Sequence, residues 1–230
     1  MAEKQMRDRV EVRESRWEAA SAVGIVISFQ LLLAIVSGIQ DVELWKLPWW
    51  IWLVPVGPEL ALVIPLAWER TRNRLEQAGR RRTVAVALIA VISLTNAVLL
   101  AVLLGSILAG HENSGRLLLL KGAAVWGTNV IAFALWFWEL DRGGPVRRLA
   151  ADPPRPDFQF PQDENPEHAQ PGWSPRLLDY AYVSFTNSIA FSPTDAMPLT
   201  GRAKVLMLAE AAISAMTVLL VAARAINILN

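Results

Sequence analysis

Five long apolar runs constrain this chain more than any other feature of its sequence. They cover residues 21–39, 47–68, 83–109, 117–140 and 205–229, and charged residues are rare inside them. About 20 apolar residues, rising 1.5 Å each in a helix, cross a hydrocarbon core about 30 Å thick. Lipid-exposed backbone must bond within its own segment, which favours helices, and none of the runs has the alternation of a barrel strand. The sequence therefore predicts an all-α fold, a polytopic transmembrane helical bundle.

The composition excludes several classes of function. The chain has no Cys, so disulfides, thiol catalysis and Cys-based metal or iron–sulfur sites are excluded. Its two His, His111 and His168, lie far apart in polar stretches, which argues against a His-based metal site. GxSxG, HExxH and Gly-rich phosphate-loop motifs are also missing from the sequence. We therefore expect no catalytic residue, no metal, no cofactor and no enzymatic activity.

Lys and Arg are distributed unequally between the segments that connect the apolar runs. Sixteen lie in residues 1–18, 69–82 and 141–176, against three in residues 40–46 and 110–121. Because positive residues accumulate in cytoplasmic loops, we expect a multi-pass protein of the plasma (inner) membrane with a cytoplasmic N-terminus. Beside membrane spans, these basic runs indicate topology rather than nucleic-acid binding. The first run precedes no A-x-A cleavage site, so we interpret it as a retained helix.

The pattern divides the chain into a charged leader (1–18), a four-helix region (19–140), a Pro-rich polar linker (141–175) and a C-terminal part (176–230). Gly143, Gly144 and Pro145 are expected to end the fourth helix, since glycine and proline do not continue a helix cheaply. The aromatic pair Phe158 and Phe160 indicates a linker that is pinned onto the bundle. A disordered linker is the alternative.

The C-terminal part begins with a short polar helix. Ser174-Pro175 resembles a helix start, and Ser192-Pro193 would end the helix after about 16 residues, or about 25 Å. A helix so short and so rich in hydroxyl groups is typical of a segment that enters the membrane and turns back, sheltered by protein or water. We therefore expect residues 177–198 to be re-entrant, in addition to five spans. A sixth full span is the alternative.

The same segment resembles the pore loop of two-helix potassium channels. Tyr182, Ser184, Asp195 and Pro198 fall at the matching offsets, but the five filter positions, 190–194, lack both glycines. Selection of potassium by a ring of backbone carbonyls is therefore not expected. The resemblance implies a homo-oligomer, with a tetramer favoured, that passes monovalent cations with little potassium selectivity. Its filter-like and pore-helix residues would be Thr186, Asn187, Ser188, Ser192, Pro193, Thr194 and Asp195.

A second resemblance covers more of the C-terminal half. Thr128-Asn129, residues 138–145 and residues 224–227 resemble an uncharacterised, actinobacterial-type family of bacterial integral membrane proteins. This resemblance implies a membrane protein and no particular activity.

Polar residues inside the apolar runs are the remaining candidates for a site, because a charge at mid-bilayer is costly and marks function by default. Glu59 follows Pro58, which can open its helix locally; it is a cation or proton site, or a structural glutamate bonded to freed backbone, Asn96 or Asn129. The last run carries polar residues at helical spacing, which line a pore or form a seam against another helix. The complete set is Glu59, Asn96, Asn129, Glu210, Ser214, Thr217 and Arg224.

These patterns predict a channel-like membrane protein with the lipid bilayer as its main partner and an oligomeric pore for cations. A non-conducting membrane scaffold or interaction protein is the alternative, in which the pore-like segment packs as an ordinary hairpin.

Overall fold

The computed structural model describes residues 19–36, 48–150, 152–192 and 195–229. The predicted leader, Pro193 and Thr194 lie outside the described residues. The basic residues of the leader carried part of the argument for a cytoplasmic N-terminus, so that orientation stays a prediction.

Five helical segments in the described part of the chain are long and apolar enough to cross a membrane. They are α1 (Ala19–Val36), a 3₁₀ helix followed by α2 (Trp49–Leu53 and Val56–Ala67), α4 (Arg81–Leu108), α5 (Gly115–Leu140) and α8 (Gly201–Leu229). Three shorter helices connect them: α3 (Glu69–Gln77), α6 (Pro161–Glu164) and α7 (Leu177–Ala190). The prediction of an all-α, multi-pass membrane bundle is confirmed.

The second span is interrupted by its prolines. Pro55 caps α2, Pro58 lies in the first turn, and Glu59 follows it. The interruption was expected at Pro58 and occurs slightly earlier, because Pro55 marks the change from 3₁₀ to α-helix. Glu59 therefore lies near a helix N-terminus, where the aligned peptide dipoles favour negative charge.

Helix α5 is the central element and packs against α4, α7 and α8. Small residues on α5 allow its neighbours to approach closely. A Cβ built on Gly122 would lie 2.7 Å from a Val221 methyl group of α8, and one on Gly127 would lie 2.9 Å from the Phe29 ring of α1. Small residues serve this purpose in membrane helix packing, where close van der Waals contact replaces the hydrophobic effect.

The two ends of the bundle are fixed by arginines of α8. At one end, Arg202 donates to the carbonyl of Leu140 at 3.4 Å. We call this the Asp141 end, after the next residue in the chain. At the other, Arg224 donates to the carbonyl of Glu112 at 3.1 Å; this is the Glu112 end. Between the ends, large apolar side chains such as Leu94, Leu108 and Leu208 are exposed, as expected of a surface that contacts lipid.

The linker is ordered on the Asp141 end of the bundle. The buried Asp141 carboxylate accepts hydrogen bonds from the backbone N–H groups of Asp157 (2.7 Å) and Phe158 (3.2 Å), and from the Tyr180 hydroxyl (2.5 Å). Strand β1 (Phe158–Gln159) pairs antiparallel with β2 (Met197–Pro198). Phe158 and Phe160 are both buried, so the expected pinning by this aromatic pair is confirmed.

Burial raises the pKa of the Tyr180 phenol well above its usual value, and the neighbouring Asp141 raises it further, although Arg148 opposes the shift. The phenol therefore stays protonated and remains a hydrogen-bond donor to Asp141 over the physiological range. This bond ties the first turn of α7 to the end of α5.

Helix α7 begins two residues later than its Ser-Pro signal predicts. The residue before the helix is Arg176, whose backbone N–H donates to the Asp179 carboxylate at 2.7 Å. The carbonyl of Pro175 instead accepts a hydrogen bond from Arg148 at 2.8 Å, which holds this part of the chain outside the helix. The expectation that Ser174 and Pro175 start the helix was therefore wrong, because a tertiary contact overrides the local signal.

Candidate functional site

The polar side of α7 faces the inside of the protein. Tyr180, Ser184, Asn187 and Ser188 are buried against the bundle, whereas apolar side chains cover the outer side, including Leu178, Phe185 and Ile189. A helix at a water interface has the opposite arrangement. The apolar outer surface suits a lipid environment, and the inner polar groups must find partners within the protein.

Glu210 of α8 is the main partner of these polar groups. Its side chain is 0% exposed and lies nine residues into the 29-residue helix. Oε1 lies in hydrogen-bond contact with the Ser184 hydroxyl, and Oε2 accepts from Asn187 Nδ2 at 2.8 Å. Asn187 donates its other amide hydrogen to the carbonyl of Met207 at 3.0 Å. In the part of the chain that the structure describes, no Lys or Arg forms an ion pair with Glu210.

The Ser184 hydroxyl contacts two acceptors but has one proton. Its oxygen lies 2.7 Å from the carbonyl oxygen of Val130 on α5 and also contacts Glu210 Oε1. A protonated Glu210 that donates to Ser184, which then donates to Val130, gives each contact its own proton, whereas an ionised Glu210 shares the serine proton with the Val130 carbonyl. When Glu210 is ionised, the serine proton turns toward the carboxylate. The arrangement can therefore hold and release one proton with a single hydroxyl rotation.

The other polar residues of α8 continue toward the Glu112 end. Ser214 accepts from Asn129 Nδ2 of α5 at 3.1 Å, and Asn129 Oδ1 accepts from Asn96 of α4 at 3.4 Å. Thr217 donates to a carbonyl of its own helix at 2.8 Å. Ser214, Thr217, Asn96 and Asn129 are all buried within one protomer. We call Glu210, Ser214 and Thr217, together with Asn96 and Asn129, the polar seam.

At the Glu112 end, the seam approaches a buried ion pair that the sequence analysis did not single out. Lys121 Nζ lies 2.9 Å from both carboxylate oxygens of Glu112, one of which also accepts from the Ser106 hydroxyl at 2.5 Å. Lys121 interrupts an apolar run, and that single charge was the available signal. Its partner lies in the preceding loop and was not identifiable from spacing.

Glu59 lies in a separate place, between α1 and α2. It accepts a hydrogen bond from Gln30 Nε2 at 2.8 Å, and not from Asn96 or Asn129, which the sequence analysis considered. Its other oxygen, Oε2, and Gln30 Oε1 are buried without a hydrogen-bond partner among the described residues. Gln30, the one amide in its apolar run, was the signal that sequence reasoning missed.

Of the filter-like and pore-helix residues that the structure describes, Asn187 joins this site, whereas Thr186, Ser188, Ser192 and Asp195 do not. Ser188 donates to the carbonyl of Phe185 and Thr186 to those of Tyr182 and Val183, all on α7. Ser192 and Asp195 are exposed beyond the end of the helix. The negative charge of Asp195, and then a hydrogen bond with it, raise the pKa of Tyr182, so these two residues bridge the turn.

The described residues contain no group of three or more His, Asp or Glu that could hold a metal ion. At Glu210, one carboxyl group, one hydroxyl and one amide are available for acid–base chemistry and hydrogen bonding.

Comparison with protein-family models, with curated proteins and with solved structures finds no match for this chain.

Proposed function

We propose that this protein transports protons across the membrane, with Glu210 as the group that binds the proton. The sequence predicts that the protein transports a monovalent cation, and this proposal specifies that the cation is the proton. The observation that carries the proposal is the contact of Ser184 with both Val130 and Glu210, to which a protonated carboxyl supplies one proton for each contact. Intramembrane carboxyl groups with such partners are typical of proton relays.

In this proposal α7 is a re-entrant half-helix. Two observations support it. The start of α7 is held at the Asp141 end by the bond between Arg148 and Pro175, and the chain after α7 returns to that end, where Leu199 donates to the carbonyl of Asp157 at 2.8 Å. The apolar outer surface of α7 suits insertion among acyl chains. By this arrangement α7 brings Ser184 and Asn187 to Glu210 from the Asp141 end, which we infer to be cytoplasmic.

The polar seam would carry the proton from Glu210 toward the Glu112 end. Its residues face α4 and α5 of the same protomer and are buried there, and this favours a path inside each protomer over a ring of Glu210 residues around an oligomer axis. Assembly as a tetramer stays a prediction and is not needed for the path.

Proton flux into proteoliposomes tests this function. Purified protein is reconstituted with a pH-sensitive dye inside, and a potassium diffusion potential set by valinomycin drives the flux. We expect wild-type protein to acidify the lumen, and Glu210→Gln to lower the rate at least about tenfold, the effect of a barrier higher by about 1.4 kcal/mol.

Ser188→Ala is the matched control for Ser184→Ala. Both serines are fully buried on α7, but Ser188 bonds to its own helix and Ser184 bonds to Glu210. The first variant should keep the wild-type rate and the second should lose most of it. Wild-type flux no greater than that of empty liposomes, or equal flux through Glu210→Gln, would contradict the proposal.

A non-conducting scaffold is the second candidate. It is favoured by the complete pairing of Glu210, since a carboxyl group with both oxygens bonded inside one protomer can serve packing alone. On that function no flux would be observed, and Glu210→Gln would change only the thermal stability.

A further inference from the structure

A cavity of about 60 Å³ lies at the Asp141 end, between α1, α2, α3, α4 and α5. Its walls are apolar and include Val63, Leu66, Leu88 and Leu135, while charged groups of α3, α4 and α5 line one side. A single water needs about 10–15 Å³ of such a volume, so the cavity accommodates about four to six groups of that size. Ala67 and Val146, which also line it, are exposed, so the cavity opens to the surface there.

Glu139 is the buried charge of this cavity. It lies in the last turn of α5, is 1% exposed, and has no hydrogen-bond partner for either carboxylate oxygen among the described residues. Arg81 Nη1 is 3.5 Å from Oε1, which is an ion-pair distance and too long for a strong hydrogen bond. The positive charges of Arg82 and Arg148 also act on this carboxylate, but neither arginine donates a hydrogen bond to it. A buried carboxylate without donors is costly, so this position calls for N–H donors from a bound group.

The wall behind Glu139 is closed by Gly144. A Cβ at this position would lie 3.1 Å from Glu139 Oε1, and the backbone has a φ of +94°, which side chains rarely adopt. Gly144 therefore lets the loop backbone lie close to the carboxylate with no side chain between them, and Glu139 lines the cavity.

Positive charge lies on the same side of the cavity. Arg81 is partly exposed, and its described contact is the ion pair with Glu139. Arg72 is held beside the cavity by Glu76, at 3.4 Å. The site thus offers an acceptor that needs N–H donors, a guanidinium group within reach of an anion, and apolar walls next to both.

We propose that this cavity binds the headgroup of a phospholipid with a primary amine, of the phosphatidylethanolamine type. The ammonium group donates hydrogen bonds to Glu139, the phosphate lies against Arg81, and the glycerol and upper acyl chain follow the apolar wall toward Ala67. An ethanolamine group of four heavy atoms matches the size of the cavity. A choline headgroup has no N–H and leaves the carboxylate unsatisfied.

A series of lipids that differ only in N-methylation tests this proposal on the wild-type protein. Phosphatidylethanolamine, its monomethyl and dimethyl derivatives and phosphatidylcholine, all with identical chains, are titrated onto delipidated protein and bound lipid is counted by native mass spectrometry. The affinity should fall along the series, by about tenfold or more between its ends, because charge-assisted hydrogen bonds are lost. Equal affinity across the series would overturn the proposal.

Glu139→Gln tests the residue. It should remove the preference for the primary amine, whereas Asp163→Asn should keep it, since Asp163 lies at the same end in an ion pair with Arg142 and does not line the cavity. A preference that survives in folded Glu139→Gln would overturn the assignment to this cavity.

Glycerophosphoethanolamine, the soluble headgroup, should compete poorly with the lipid. If it competed as well as the lipid, the apolar wall would have no role and the lipid assignment would be wrong. If Glu139→Gln does not fold, the N-methylation series decides.

Discussion

Two glutamates, Glu59 and Glu210, are completely buried inside apolar spans, yet their surroundings differ. Glu210 lies well inside a continuous helix, and both of its oxygens contact donors from a second helix. Glu59 lies in the first turn of α2, and one oxygen accepts from a single amide of α1 while the other has no described partner. Burial is therefore common to both glutamates. The number and kind of hydrogen-bond partners distinguish the two regions.

The difference has a physical cause in the neighbouring helices. The region around Glu210 combines α5, α7 and α8, and α7 contributes a polar face because its apolar side covers the outside. The Glu59 carboxylate of α2 instead has Gln30 of α1 as its described hydrogen-bond partner, in a region where α2 also packs against α4. A carboxyl group there relies on Gln30 and on the N-terminal dipole of α2.

The largest expected difference between the regions is in transport. Glu59→Gln should keep at least about half of the wild-type proton flux, a barrier change of less than about 0.5 kcal/mol, because Glu59 lies outside the polar seam. Glu210→Gln, measured in the same proteoliposomes, should nearly abolish it. Equal losses in the two variants would mean that both carboxyl groups belong to one path, and the comparison would fail.

The next effect is on stability. Asn187→Ala removes the donor to Glu210 Oε2 and should lower the free energy of unfolding by about 1–3 kcal/mol, the cost of leaving a buried acceptor unpaired. Gln30→Ala should cost less, because it also removes Gln30 Oε1, which already lacks a donor. Thermal unfolding in detergent, followed by tryptophan fluorescence, ranks the two variants. A larger loss for Gln30→Ala would show that the Glu59 region is the better satisfied one.

The smallest effect is expected within the polar seam itself. Asn96→Ala removes a long hydrogen bond to Asn129, at 3.4 Å, and should cost about 0.6 kcal/mol, the average for such bonds between membrane helices. The same unfolding assay measures it against Asn187→Ala. A loss of stability as large as that of Asn187→Ala would show that the hydrogen bonds around Asn129 stabilise the site as much as those around Glu210.

Much of the architecture was predictable because the signals are local. Each apolar run is a property of consecutive residues, so the five spans, and the short helix over residues 177–190, appear within a few residues of where the sequence places them. The exceptions have tertiary causes: Pro175 is kept out of α7 by a bond from Arg148, which is distant along the chain.

The site was predictable only in its parts. Helical spacing identified Glu210, Ser214 and Thr217 as one stripe, and the polar residues of the short helix identified Ser184 and Asn187. That these two sets meet inside one protomer depends on how α7 packs between α5 and α8. The same spacing fits a stripe that lines an oligomeric pore.

The sequence by itself determined that this chain crosses a membrane as helices, because the length and polarity of a segment decide whether it dissolves in lipid. It also determined which faces of those helices are polar, since helical geometry relates residues three and four apart. Only the tertiary structure decided what each polar face meets. A buried carboxyl group acquires its chemistry from donors that folding brings to it, and those donors come from residues more than 20 positions away in the chain.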